Sequence, residues 1–175
     1  MTKNELTKLL ETWETLALIK SHIIGQPDFL PLLMEVALTG TDRQSWRAAW
    51  VADKINEQQP GTMAPWIPDL TQELRHLNHP GKKRQFLKLI SLYPIAPDDR
   101  GFLLEYCLDR LDDPSDPPAV KAHSLEILYR ISQDEPVFKK ELLQVLEFVL
   151  ERQDSAGIVA RAKRLAGRLR KEAGP

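Results

Sequence analysis

Several kinds of residue pattern are missing from this 175-residue sequence. It contains a single cysteine, Cys107, so an internal disulfide and a cysteine-based zinc site are both excluded. No uncharged apolar stretch is long enough to span a bilayer. Acidic residues at positions 5, 11 and 14 leave no room for the apolar core of a signal peptide. We therefore expect a protein without a membrane segment, located in the reducing cytoplasm.

A strong net charge and a β-strand pattern are also missing. The 24 basic and 25 acidic residues give a formal charge of -1, so the chain as a whole has no strong attraction for nucleic acid or anionic membrane. Runs of alternating β-branched residues are absent. Any function that depends on charge must therefore come from charges that the fold segregates.

Helix-forming segments separated by proline and turn residues fill the chain. Thr2 and Glu5 predict a capping box at the start of an N-terminal helix that ends at Gly25. Later breaks predict four helical hairpins, over 26–59, 60–95, 96–134 and 135–172. Their first helices are expected over 28–39, 62–77, 98–112 and 135–152, and their second helices over 42–58, 80–93, 117–133 and 155–172. We expect one domain over 1–175, in which 1–25 is an N-terminal capping helix.

The second helices carry an internal repeat. Two sets of positions recur at intervals of 37 residues: Asp42, His79 and Asp116, and Arg47, Arg84 and Lys121. A fixed period of this size with two helices in each period is typical of an α-solenoid, in which each hairpin buries its apolar surface against the next. The predicted fold is therefore all-α, an α-α superhelix of four hairpins plus the capping helix.

One segment resembles a HEAT repeat. Residues 111–128 contain an Asp-Pro turn, then Val120 and Lys121, a small residue three positions after Lys121 and a leucine seven positions after it. Segments 45–51 and 83–87 are looser copies. The chain thus resembles the HEAT/armadillo-like repeat proteins, and in particular a short bacterial HEAT-like family. The resemblance implies a right-handed helical solenoid and no particular function.

Charge is unevenly distributed between the two helices of each hairpin. The second helices, with the last one counted from Asp154, contain fifteen basic and six acidic residues, a net charge of +9, so the remainder of the chain sums to -10. The acidic residues concentrate between Asp98 and Asp116. Because the second helices of α-solenoids usually line the concave face, we expect a basic concave face and an acidic outer face.

Eight basic residues form the candidate partner-binding face: Arg47, Lys83, Arg84, Lys88, Lys121, Arg161, Arg164 and Arg168. The ladder of Arg47, Arg84 and Lys121 predicts a groove for an acidic peptide or a phosphate backbone. The alternative is a structural ladder, because Asp42 and Asp116 each lie five residues before a ladder residue and can pair with it.

The other basic segments also have two interpretations. The arginines of the last helix lie on one face and form either an anion patch or a solvated end cap, since the helix dipole favours cations near a C-terminus. The helix start at 79–84 either binds a phosphate at its amides or is simply basic and solvated. Its sequence does not match a P-loop.

Few residues suggest any other chemistry. Trp46 and Trp50 lie one turn apart and either pack in the core or, if exposed, stack on a base or anchor a peptide. With Asp53 they invite comparison with HEAT-like DNA glycosylases, although no local motif of those enzymes is present. His76 and His79 lack a third metal ligand at a suitable spacing. The acidic turn 112–116 lacks the glycine and terminal glutamate of a calcium loop.

The function expected from the sequence is a non-enzymatic interaction module that binds a protein or an acidic peptide on its basic concave face. No cofactor, metal or small-molecule substrate is expected. Nucleic-acid binding, with or without base-excision chemistry, is the alternative. A third possibility is a structural subunit that stacks with copies of itself.

Overall fold

The computed structural model describes residues 1–40, 43–152 and 154–173, and these ranges contain α-helices but no strand. The helices are α1 (Lys3–Leu9), α2 (Leu16–Gly25), α3 (Leu30–Thr39), α4 (Arg43–Gln58), α5 (Ile67–Glu73), α6 (Pro80–Ser91), α7 (Pro97–Asp112), α8 (Pro118–Asp134), α9 (Lys139–Glu151) and α10 (Ala156–Glu172). The all-α class predicted from the sequence is therefore confirmed. No helix within these ranges combines the length and apolar character needed to cross a membrane.

The N-terminal segment differs from the expected single helix, because it contains two. The predicted capping box is present: the Thr2 amide donates to the Glu5 carboxylate at 2.7 Å, and the Glu5 amide donates to the Thr2 hydroxyl at 3.3 Å. The helix nevertheless stops after α1, and α2 begins at Leu16.

The break follows from side chains that take over backbone carbonyls. The Thr15 hydroxyl donates to the carbonyl of Leu9, and the Arg47 guanidinium donates to the carbonyls of Leu10 and Glu11. Three consecutive carbonyls therefore receive side-chain donors where a continuous helix would supply amides four residues later. The sequence did not predict this break, because one of the donors comes from a distant helix.

Short 3₁₀ turns introduce three of the first helices of the hairpins. The turns Pro27–Phe29, Ala64–Trp66 and Pro136–Phe138 precede α3, α5 and α9. Each contains a proline near its start, where the missing amide donor costs no intrahelical hydrogen bond, and ends on an aromatic residue. These turns explain why α3, α5 and α9 begin two to five residues later than the sequence predicts.

The chain divides into two compact units, Met1–Leu89 and Ile90–Pro175, with the boundary inside α6. In the first unit α4 packs against both α3 and α2. In the second unit α8 packs against both α7 and α10, and α10 also packs against α9. A single continuous array over 1–175 remains a prediction.

Each unit has its own apolar core. The first unit buries Leu6, Leu33, Met34, Ile55 and Phe86, and the second buries Leu103, Leu125, Leu128, Leu146 and Leu165. Helix α8 is buried on more than one side, as the sequence predicts, because it also buries Val120 and Ile127. Burial of one such side chain stabilises the fold by about 1.5–3 kcal/mol. Because α8 packs against both α7 and α10 and buries residues on more than one side, it is the central helix of its unit.

Candidate partner-binding surface

Several of the basic residues that the sequence singled out are buried. Arg47 and Lys121 are only 5% and 7% exposed. The Arg47 guanidinium donates to the Leu10 carbonyl at 2.9 Å, and the Lys121 ammonium donates to the Leu111 carbonyl at 3.1 Å. Both carbonyls lie at the C-terminal end of a helix, where carbonyls lack amide partners and the helix dipole attracts cations. These two ladder residues therefore stabilise helix ends.

Lys82 follows the same arrangement. Its side chain is 3% exposed, and its ammonium donates to the carbonyls of Leu38 at 3.1 Å and Gly40 at 2.7 Å, at the end of α3. The adjacent Lys83 is also buried, at 8% exposure. From its sequence, the basic helix start at 79–84 is interpreted as either a phosphate site or a solvated segment. Two of its three basic side chains, Lys82 and Lys83, are instead buried in the unit.

These contacts correspond to the alternative in which the ladder of basic residues is structural. The acceptors are backbone carbonyls, however, and not the expected aspartates. Of the acids expected to pair with the ladder, Asp42 lies outside the described residues, and Asp116 accepts from Arg110 at 2.9 Å. Arg47 in the first unit and Lys121 in the second occupy equivalent repeat positions, and each binds a backbone carbonyl at the end of a helix.

Three tryptophans form a cluster in the first unit. The ring of Trp13 lies edge-on to the rings of Trp46 and Trp50, with centroids 5.4 Å and 5.7 Å apart. Trp13 is 47% exposed, and the other two are half-buried. On the far side of Trp46, the imidazole of His79 lies 5.6 Å from the indole. The three indole rings thus pack against one another, and Trp13 is the most exposed of them.

Two basic side chains lie over rings of this tryptophan cluster. The Arg47 guanidinium lies 5.2 Å from the Trp13 ring centroid, and the Lys54 ammonium lies 5.7 Å from that of Trp50. A cation over an indole face is attracted by the ring quadrupole. Trp13 and Trp50 therefore each have a cation of the chain over the ring, and Trp13 is still 47% exposed.

Two rows of side chains meet between α4 and α6: Trp46, Trp50 and Asp53 on α4, and Gly81, Arg84 and Lys88 on α6. Gly81 lies so close to Trp46 that a Cβ added to it would stand 2.7 Å from the indole nitrogen. Seven residues further along each helix, the Lys88 ammonium donates to Asp53 at 2.7 Å. Residues three or four apart share a helix face, so helical spacing places Arg84 on the side of α6 that carries Gly81 and Lys88, at about the level of Trp50 on α4. Arg84 is exposed, and it makes no hydrogen bond or ion pair with any residue that the structure describes.

The charge of Lys88 is compensated within the unit. Its ammonium lies 2.7 Å from both Asp53 and Glu57, and Glu57 also accepts from Lys54. Asp53 is 2% exposed, and burial raises the pKa of its carboxyl group although the hydrogen bond from Lys88 acts in the opposite direction. Burial lowers the pKa of Lys88, but its hydrogen bonds to the two carboxylates outweigh that effect and raise it. The Asp53 carboxylate is therefore buried in the unit and held by Lys88.

The basic residues of α10 lie in the second unit, and two of them share one acidic partner. Arg161 donates to Glu126 at 2.6 Å, and Arg164, whose side chain is 45% exposed, contacts the same carboxylate oxygen. Burial lowers the pKa of Arg161. The Arg168 guanidinium lies 5.9 Å from the ring centroid of Tyr129. Arg161 is therefore half-buried, Arg164 and Arg168 are exposed, and all three contact α8.

We define the Trp–Arg surface as the exposed part of the first unit formed by Trp13, Trp46, Trp50, Lys54 and Arg84. The sequence analysis named Arg84 and, as one interpretation, the two tryptophans of α4. It missed the role of Trp13, which reaches the cluster only because the helix breaks at 10–15. The threonines at 12 and 15 were a signal for that break, since threonine hydroxyls compete for helix carbonyls.

The remaining candidates are structural in the geometry observed. Cys107 is buried, and burial raises the pKa of its thiol to about 12. His79 accepts from the Lys82 amide at 3.2 Å. In the acidic turn, Asp113 accepts from the amide and hydroxyl of Ser115. Within the ranges described, no group of three His, Cys, Asp or Glu side chains is arranged to hold a metal ion.

Comparison with known proteins gives one match. A family model described as a HEAT repeat domain matches residues 2–168, which includes both compact units. No curated protein and no solved structure matches the chain.

Proposed function

Because the chain belongs to the HEAT repeat family, whose helical repeats generally act as non-enzymatic scaffolds for other proteins, we propose that it is an interaction module. Its partner is a protein or peptide that presents an acidic side chain next to apolar ones. It binds to the Trp–Arg surface of the first unit and requires no cofactor. The cytoplasmic location expected from the sequence is part of the same proposal.

The observation that carries this proposal is the exposed indole of Trp13, packed against Trp46 and Trp50, in the same unit as Arg84, whose exposed guanidinium makes no ion pair with any described residue. Tryptophan and arginine dominate the energetics of protein interfaces, because each combines a large contact area with a polar group. The edge-on packing of Trp13 against Trp46 and Trp50 fixes the three rings before a partner arrives. A prearranged surface loses less conformational entropy on binding.

The charges of this surface favour an acidic partner. Arg84 makes no ion pair with the described residues, so its guanidinium is available for a bidentate contact with a carboxylate. Lys54 adds a second cation above Trp50, although Glu57 partly compensates its charge. Charge here steers association and selects the partner, while the indoles supply most of the contact area.

The wider basic face remains a prediction. Among the eight residues that the sequence assigns to it, Lys83, Arg47 and Lys121 are buried. We therefore base the proposed contact on Arg84, with Lys88 and the α10 residues Arg161, Arg164 and Arg168 as further candidates.

Quantitative affinity purification from the native host tests the proposal. The tagged protein and three variants, Trp13→Ala, Arg84→Glu and Lys140→Glu, are compared by mass spectrometry of the captured proteins. Lys140 is an exposed cation of the second unit that forms no ion pair with described residues, so its reversal is the matched control. We expect the first two variants to lose at least tenfold of a specific partner and the control to keep it. Equal capture by all four proteins would refute the proposal.

The nucleic-acid alternative has support from the same surface, since exposed tryptophans beside cations also suit the stacking of unpaired bases. Titration of the protein into labelled single-stranded and duplex DNA at two salt concentrations separates the two functions. Micromolar binding that collapses as salt rises and is lost in Trp13→Ala identifies nucleic acid as the ligand. Absence of such binding leaves the protein partner as the proposal.

A further inference from the structure

A groove in the second unit, remote in sequence from the Trp–Arg surface, lies between α7 and α9. Its volume is about 290 Å³, and its lining is mainly apolar, from Leu108 on α7 and Val145, Phe148 and Val149 on α9. Arg152 and Asp112 form an ion pair at one end, with 2.9 Å between guanidinium and carboxylate. The groove has the dimensions and composition of a site for a few apolar side chains.

Phe148 is the exposed apolar residue of this groove. Its side chain is 55% exposed, and the only ring contact described for it is the Arg152 guanidinium, 5.6 Å from the centroid. A phenylalanine ring contributes strongly to an interface when it becomes buried. An apolar groove with an exposed ring is the kind of surface that a partner covers.

An acidic stripe runs along α7, and its last member, Asp112, lines the groove. Its members are exposed and recur at intervals of seven, four and three residues, which places them on one helix face: Asp98, Glu105, Asp109 and Asp112. The first three make no ion pair with any residue that the structure describes. On α9, Glu141 and Glu151 are likewise exposed and unpaired within the described ranges.

Most basic residues of α7 and α9 form ion pairs with other acidic residues of the unit. Arg100 binds Asp134 and Glu135, Arg110 binds Asp113 and Asp116, and Lys139 binds Glu172. Lys140 of α9 is the exception, since it is exposed and forms no ion pair with described residues, but the five exposed acidic residues without such a pair outnumber it. The two helices that border the groove therefore keep an excess of negative charge. Its charge and its apolar floor together define what can occupy it.

We propose that the groove between α7 and α9 is a second docking surface, for a basic amphipathic helix of another protein. An apolar side chain of that helix covers Phe148, and its lysines or arginines lie along the α7 stripe. The stripe from 98 to 112 spans fourteen residues, about 21 Å at 1.5 Å per residue, which suits a partner helix of about four turns. Nucleic acid and anionic membrane are repelled by this charge.

A second copy of the chain is a poorer occupant. Its own basic helix, α10, keeps its apolar residues Ile158, Leu165 and Leu169 buried inside the second unit. Such a helix offers cations to the stripe but no apolar side chain to Phe148. The geometry therefore favours a different protein, and self-association is an outcome that the test must detect.

The test uses the full chain and two labelled synthetic peptides, one an amphipathic helix of leucine and lysine and the other the same helix with glutamate in place of lysine. Fluorescence anisotropy should show micromolar binding of the lysine peptide, weakened by salt, and none of the glutamate peptide. Phe148→Ser and the double variant Glu105→Lys/Asp109→Lys should each weaken binding at least tenfold.

Two control variants make the result specific. Val137→Ser changes another exposed apolar residue, 87% exposed, in the turn before α9, and should leave binding unchanged. Arg84→Glu should also leave it unchanged, so this proposal and the proposed function can fail independently. Circular dichroism melting of each variant verifies folding.

Three results would overturn the proposal: no binding of the lysine peptide, binding that Phe148→Ser does not alter, or a dimer of the wild-type chain in sedimentation that Phe148→Ser abolishes. The last result would assign the groove to a second copy.

Discussion

At the scale of single residues, the account separates basic side chains that hold the fold from those that face a partner. Arg47 and Arg84 occupy equivalent repeat positions, 37 residues apart, yet Arg47 is buried on backbone carbonyls and Arg84 is exposed. Sequence alone predicts the repeat but not this difference, because the acceptors of Arg47 lie just after α1, 36 and 37 residues away along the chain. The tertiary structure decides which rung of the ladder is available.

Substitution of these two arginines by methionine should therefore have unequal effects. Arg47→Met keeps the length of the side chain but leaves the carbonyls of Leu10 and Glu11 without their donors. We expect a loss of about 2–3 kcal/mol in the free energy of unfolding, since a hydrogen bond from a charged donor contributes about 1.5–3 kcal/mol. Urea unfolding followed by circular dichroism measures it. Arg84→Met, the matched control, should change stability by no more than about 0.5 kcal/mol.

Gly81 provides a second residue-scale prediction. A Cβ at this position would stand 2.7 Å from the Trp46 indole nitrogen, so Gly81→Ala must displace that ring and disturb the tryptophan cluster. We expect lower stability and an altered tryptophan fluorescence spectrum. Gly101→Ala is the control, because nothing lies within 4 Å of the added methyl group. It should raise stability by about 0.4–1 kcal/mol through the unfolded chain. Equal effects of the two alanines would contradict the close approach of α6 to α4.

At the scale of helices, proline positions determined what could be predicted. Helices α7 and α8 begin and end within one residue of the expected bounds, because prolines fix their first turns. The division between α1 and α2 was missed, because it depends on side-chain donors from Thr15 and Arg47 and not on a breaking residue. Local patterns thus identify helices well but fail where a distant side chain ends one.

Glu172 connects three helices and should make stability depend on pH. Its carboxylate accepts from Lys139 at 2.8 Å, from the Tyr129 hydroxyl at 2.5 Å and from Gln133 at 3.1 Å. The hydrogen bond from Lys139 comes first among the causes that lower the pKa of Glu172 to about 2, from an ordinary value of 4.5. Because the folded state binds this proton less readily than the unfolded state, the carboxylate stabilises the fold above pH 4.5. That contribution fades as the pH falls towards 2.

The measurement is thermal unfolding of the wild type and Glu172→Gln between pH 7 and pH 2. The wild type should be more stable at neutral pH, and the difference should shrink below pH 4.5. Glu151→Gln, at an exposed carboxylate with no ion pair among the described residues, is the control and should show no such convergence. A constant difference across the range would rule out this role for the Glu172 carboxylate.

At the scale of the whole molecule, near-neutral charge conceals local surfaces of opposite sign. The formal charge of -1 excludes strong overall steering, yet in one unit Arg84 is exposed and makes no ion pair with the described residues, and in the other an acidic stripe follows α7. The sequence predicted the family, because the repeat appears as a pattern along the chain and the family model confirms it. The expected basic concave face and acidic outer face stay a prediction. The sequence could not identify the Trp–Arg surface, which depends on the contact of Trp13 with α4 and on the burial of neighbouring cations.

The salt dependence of partner binding tests whether local charges such as that of Arg84 contribute to the interaction. Affinity for the captured partner should fall as ionic strength rises, and Arg84→Gln should reduce both the affinity and its salt dependence, because an exposed charge pair is screened. Lys121→Gln should instead lower stability and leave the salt dependence as in the wild type, since its ammonium is buried on the Leu111 carbonyl. The opposite pattern would mean that Lys121 contacts the partner directly.

The most direct test of the central claim uses the indole N–H signals of the four tryptophans in a two-dimensional nitrogen-15 spectrum. The captured partner is added to the labelled protein, and Trp66, in the turn before α5, serves as the internal reference. The account predicts that the signals of Trp13, Trp46 and Trp50 shift on binding, while that of Trp66 stays in place. A partner that binds without moving the first three signals, or that moves Trp66 alone, would contradict binding at the Trp–Arg surface.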